Sequence, residues 1–102
     1  MPFIADAIDA HRDLILALGG ELATYAPVAG DPVPALAMLD RNTAEIGEYG
    51  QTVAVRPAIT VLNVEVPQAE QGDRITLAAS AWEVVRIASA DDIVTTLWVS
   101  PA

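Results

Sequence analysis

At 102 residues and a net charge of −9, with no lysine and no cysteine, the chain has the size of one domain and excludes several classes at once. Phosphate binding needs clustered cations, and the five arginines are scattered at positions 12, 41, 56, 74 and 86, so neither nucleic acid nor an anionic membrane surface is the expected partner. A disulfide framework and a thiolate metal site are ruled out by the missing cysteine.

A chain of this length buries roughly 60–70% of its unfolded surface, enough for a core without metal or disulfide. The apolar fraction is 53%, much of it alanine, which hints only weakly at a partner surface. No apolar run approaches the ~18 residues of a membrane span. No cationic segment precedes the first apolar residues, and Asp6, Asp9 and Asp13 fall early, unlike a secretory signal. The expectation is a protein made and kept in the cytoplasm, or in a particle assembled there.

Pro2 to Leu18 reads as a helix. Phe3, Ile4, Ala7, Ile8, Leu14, Ile15 and Leu18 recur at helical spacing, proline is tolerated in a first turn, and Gly19-Gly20 ends the run. The stripe of Phe3, Ile4, Ile8, Leu14 and Ile15 must bury, either on the chain's own sheet or partly on a neighbouring subunit. His11 lies on or beside that face and reads as structural or solvent-facing. Two strands follow, over 21–28 and 33–39. In the second, Val33, Ala35, Ala37 and Leu39 share one face and Leu36 and Met38 the other. Pro34 places it at an edge or marks its start.

Residues 40–52 are polar and carry two glycines, with Ile46 and Tyr49 as the large apolar groups. We expect a mobile loop over 41–52. It is either a solvated excursion or a segment ordered by a partner, with Ile46 and Tyr49 as anchors and Arg41 as a polar contact. Residues 53–66 are strand-like again, interrupted at Arg56-Pro57. Ile59 and Val61 oppose Thr60 and Leu62, and Pro67 stops the run.

The stretch from Gln71 to Ser100 holds three short runs rich in Ile, Val, Thr and Trp, separated by Ala78–Ala81 and by Ala88–Asp92, the pattern of an antiparallel meander. Gly72-Asp73 bends the chain into the first run, and Asp91-Asp92 closes the second hairpin. In the last run Ile93, Thr95, Leu97 and Val99 share a face opposite Val94, Thr96 and Trp98. The fold class expected is mainly β: a small antiparallel barrel of six or seven strands with an N-terminal α-helix, in one domain over residues 1–102.

No constellation for chemistry stands out. Ser80, Ser89 and Ser100 have no nucleophile-elbow context, and there is no glycine-rich phosphate loop. Asp91-Asp92 reads as a turn and not a metal pair, because a hard cation needs more oxygen ligands. Glu65 and Glu83 read as outward charges within strands, and Trp82 and Trp98 as buried aromatics. We therefore expect no enzyme activity, no catalytic residue, no metal and no cofactor.

The Gly-Asp-Arg-Ile-Thr-Leu run, the aromatic-started Trp-Glu-Val-Val-Arg-Ile run, the acidic turn and the final Leu-Trp-Val together resemble the small head–tail joining proteins of tailed phages, the lambda FII-type attachment family. The order of elements resembles that family along essentially the whole chain, and the specific part lies between Gly72 and Val99. The chain departs from the pattern in being short, lysine-free and more apolar, with a shorter middle loop. The resemblance implies a β barrel with an N-terminal helix and a structural role in the neck of a phage, prophage or gene-transfer particle. Copies would form a ring, six-fold by expectation, meeting portal or adaptor and tail-terminator proteins after assembly in the bacterial cytoplasm. Candidate interface residues are Arg41, Ile46, Tyr49, Arg56, Phe3, Ile4 and Ile8. The alternative is a small non-catalytic β-barrel binding module or accessory subunit of a host complex.

Overall fold

Period-two alternation of apolar residues organises the chain into strands, because each strand of a half-buried sheet turns every second side chain to the core. The computed structural model describes residue 10, residues 12–17 and residues 19–102, and all that follows concerns those residues. Six strands form: β1 (Glu21–Ala26), β2 (Val33–Ile46), β3 (Thr52–Leu62), β4 (Arg74–Thr76), β5 (Ala81–Ala90) and β6 (Val94–Pro101). All pairs are antiparallel, and the sheet closes on itself in the order β1-β2-β3-β6-β5-β4. Closure rests on a short β1–β4 seam, Thr24 to Thr76, Tyr25 to Ile75 and Ala26 to Arg74. The expectation of a mainly β, six- or seven-stranded antiparallel fold holds, and the meander is β4-β5-β6.

The faces fall where alternation puts them. Ala23 and Tyr25, Ala35 and Ala37, Ile59 and Val61, Ile75, Trp82 and Val84, and Leu97 and Val99 meet in the closed interior, with Val66 and Leu77 joining from the loops. A second cluster lies on the outer face. There Ile15 packs on Leu36 and Leu62, flanked by Met38, Ile93 and Val94. Residues 12–17 are helical, so the described part of the expected helix buries Ile15 on its own barrel while Leu14 and Leu16 stay exposed. The helix ends at Gly19-Gly20: Gly19 adopts φ +94°, and the Gly20 amide donates to the Ile15 carbonyl at 2.7 Å. The remainder of the helix expected over Pro2–Leu18, with Phe3, Ile4, Ile8 and His11, lies outside the described residues.

Three expectations need correction. The irregular excursion expected over 41–52 is mostly strand: β2 continues to Ile46, and a tight turn at 47–51 leads into β3. The register shows why the alternation was hidden. Asp40 faces Ala58 but Thr43 faces Arg56, so Arg41-Asn42 carries a one-residue bulge opposite Pro57. Proline has no amide to give to the ladder, and a bulge is a standard accommodation. A second irregularity at Val53 follows, where Glu45 faces Ala54 and Ile46 faces Thr52. β3 also ends at Leu62, four residues before the expected limit of 66, in a turn over 63–65.

Glu65, expected as an outward strand charge, belongs to that departure. Its Oε1 accepts the Leu36 amide at 3.0 Å where β3 has left the edge of β2, and Arg12 Nη2 stands 3.9 Å from its Oε2. The β5–β6 hairpin closes as expected: Asp91 Oδ1 accepts the amides of Ile93 and Val94, both at 2.8 Å, which is the turn chemistry that favours aspartate here.

Candidate interaction surface

The β2–β3 hairpin outruns the rest of the sheet. β6 pairs with β3 only over Ala58–Leu62, and β1 pairs with β2 only over 33–37, so residues 43–46 and 52–56 hydrogen-bond as ladder partners to one another alone. Opposed residues of an antiparallel pair share a face. Thr43, Glu45, Ala54 and Arg56 therefore lie on one side, and Ala44 and Val55 on the other. The first side is turned to the barrel. Glu45 Oε2 sits 3.1 Å from Arg56 Nε, and its Oε1 pairs with Arg86 Nη2 on β5. The Arg86 guanidinium lies 5.8 Å from the centre of the Trp98 ring, within cation–π range. A cleft of about 360 Å³ separates Thr43, Glu45 and Ile46 of the hairpin from Arg86, Ser89 and Trp98.

The other side is apolar and faces solvent. Ile46 is 59% exposed, Val53 57%, Val55 60%, and Tyr49 at the tip 86%. This inverts the usual arrangement, with charge toward the body and aliphatic side chains outward. The tip itself is built locally. Gly50 takes φ +78°, its amide reaches the Gly47 carbonyl at 3.1 Å, and Gln51 Oε1 accepts the Tyr49 amide at 3.0 Å.

Of the residues singled out from the sequence, Ile46 and Tyr49 lie together on this hairpin with Arg56, whose guanidinium is engaged by Glu45. Arg41 stands apart in the bulge, its guanidinium 5.2 Å from the centre of the Trp82 ring. Val53 and Val55 belong to the strand expected from residue 53, and their alternation with Ala54 is the signal in the sequence that they share the outward face. Trp82 and Trp98 are both buried, Trp82 inside the barrel with Nε1 donating to Ser80 Oγ at 2.8 Å, and Trp98 on the outer face.

The polar cluster inside the molecule is structural. Asp73 is fully buried, accepts Tyr25 OH at 2.5 Å and the Glu70 amide at 2.9 Å on Oδ2, and takes the Val28 amide at 2.9 Å on Oδ1. Burial and the adjacent Asp73 carboxylate hold the Tyr25 phenol protonated far beyond its ordinary range. Each donor is thus committed to tying β1, the 63–73 loop and the start of β4 together. Among the described residues no group of three or more potential metal ligands converges, and no helix is long and apolar enough to cross a membrane.

A family described as Phage Head-Tail Attachment protein matches residues 1–99. The chain belongs to that family. No curated protein matches it. Membership makes this attachment-family protein a structural joining component of a phage particle, in line with a small barrel whose exposed apolar feature is an arm and not a pocket.

Proposed function

We propose that the protein assembles as a ring, six-fold by expectation, in the neck of a tailed phage, prophage or gene-transfer particle, joining portal or adaptor proteins on one side to tail-terminator proteins on the other. It works by assembly and carries no catalysis. The observation that supports this reading is the β2–β3 hairpin, whose outward face offers Ile46, Tyr49, Val53 and Val55. Each copy lays this arm against its neighbour, and Tyr49 and Ile46 are the anchors. Phe3, Ile4 and Ile8 are candidates for a further apolar contact between copies. The net charge of −9 suits a component beside DNA in transit, since like charge discourages sticking.

Truncating an aromatic anchor at an interface centre commonly costs about 2 kcal/mol or more of association. Tyr49→Ala is therefore expected to leave the melting temperature of the isolated protein unchanged and to impair particle assembly, read by complementation of a particle lacking the wild-type gene. Normal assembly with Tyr49→Ala would remove the hairpin from the mechanism.

A further inference from the structure

Two features of the hairpin are at odds unless something holds it. Beyond Asp40 and Ala58 it has no ladder partner other than itself, and a two-stranded ribbon with an uncovered apolar face has no packing reason to keep a fixed angle to the barrel. Yet the Glu45 side chain is only 18% exposed, between two arginine side chains that are half exposed, and one of those arginines belongs to β5. β5 is separated from the hairpin in the sheet by β6. The Arg86 guanidinium at the far end of this bridge lies over the Trp98 ring, 5.8 Å from its centre.

We propose that Glu45 is a positioning residue for docking: by clasping Arg56 of its own hairpin and Arg86 of β5 it sets the angle of the arm before a neighbouring copy arrives. This rests on the ring assembly proposed above and deepens it. A docking element already held in its bound direction loses less freedom on association, so the clasp raises affinity without touching the neighbour. Because the partners are partly exposed, the clasp weakens as salt screens it. The geometry also explains the inverted faces: the charged side is turned inward to be clasped, which leaves the apolar side for the neighbouring copy.

The test uses amide hydrogen exchange on the whole protein together with assembly. Glu45→Gln keeps the shape and removes the charge. It is expected to speed exchange of residues 43–46 and 52–56 by up to about fivefold, the range for partly exposed ion pairs, with Ile59 and Val61 unchanged. Arg86→Gln is expected to do the same, and the double variant no more than either single one, because both act through one contact. In the wild type, about 1 M salt reproduces the effect. Glu45→Gln is also expected to raise the protein concentration needed for assembly, whereas Tyr49→Ala blocks assembly with hairpin exchange unaltered. Unchanged exchange in Glu45→Gln overturns the clasp, and lost assembly with unchanged exchange would make Glu45 an ordinary contact with the neighbour, which also overturns it. Additive effects of Glu45→Gln and Arg86→Gln overturn it as well. Failure of the wild type to form any ring would end the ring reading instead, and hairpin exchange would still decide the clasp.

Discussion

Tyr25 shows how much of this small core hangs on one hydrogen bond. Its hydroxyl and two backbone amides are the donors to a carboxylate with no solvent exposure to speak of. A buried charge that loses one donor keeps its desolvation cost, and hydrogen bonds to charged groups contribute about 1.5–3 kcal/mol. Tyr25→Phe is expected to lose that amount, measured by urea unfolding at neutral pH. A pH signature accompanies it. The phenol titrates near 10.0 when unfolded and well above that when folded, so the unfolded chain releases its proton first. Stability from this group is complete below about pH 10 and falls as pH rises beyond it. The wild type is expected to lose stability above about pH 10 more steeply than Tyr25→Phe, and equal slopes would contradict the assignment. None of this was legible in the sequence beyond Gly72-Asp73 as a bend. The partner of Asp73 lies 48 residues away, and nothing local announces it.

Elements were legible where alternation was unbroken and illegible where a bulge shifted it. In β6 and the core half of β2 the residues expected to share a face do so, and Leu97 and Val99, Ala35 and Ala37 form the inner one, whereas Ile93, expected on the face of Leu97, precedes β6 and packs in the outer cluster. Past Asp40 the bulge moves the period by one residue, so Thr43 and Glu45 against Ala44 and Ile46 did not register as a continuation. The same segment holds the candidate site: Val53 and Val55 lie in a strand that was legible, but its partner over 43–46 was not. The helix end is the opposite case, written plainly as Gly19-Gly20. A Cβ on Gly20 would stand 2.6 Å from the Ile15 carbonyl oxygen and 2.3 Å from Ile15 Cγ2. Gly20→Ala must therefore shift the helix off Leu36 and Leu62. The expected cost is about 1–3 kcal/mol, the range for overpacking, read as a lowered denaturation midpoint with unchanged β-sheet circular dichroism.

For the whole molecule, charge and topology lead to separate expectations. Four of the five arginines have a visible partner: Arg12 with Glu65, Arg56 and Arg86 with Glu45, and Arg41 with Trp82. They form no basic patch, and with a net charge of −9 no binding to duplex DNA is expected at physiological salt. A salt-sensitive micromolar complex in an anisotropy titration would contradict this.

The position of β3 in the sheet has a consequence for the chain while it is being made. β3 is complete at Leu62, and β2 is ready to pair with it at once, but its other neighbour is β6, the last strand to leave the ribosome. At about 5–20 residues per second, that edge stands open for seconds. During this interval Ala58-Ile59-Thr60-Val61-Leu62 is an apolar strand with one edge free, the kind of template on which other chains add. Pro57 and Arg56 guard one end of it, and Asn63 begins the turn at the other. A fragment ending at Ala90, which keeps β1 to β5 but never supplies the closing strand, is expected to sediment as aggregate where the full chain stays in solution. Adding a synthetic 91–102 peptide during refolding is expected to reduce that loss.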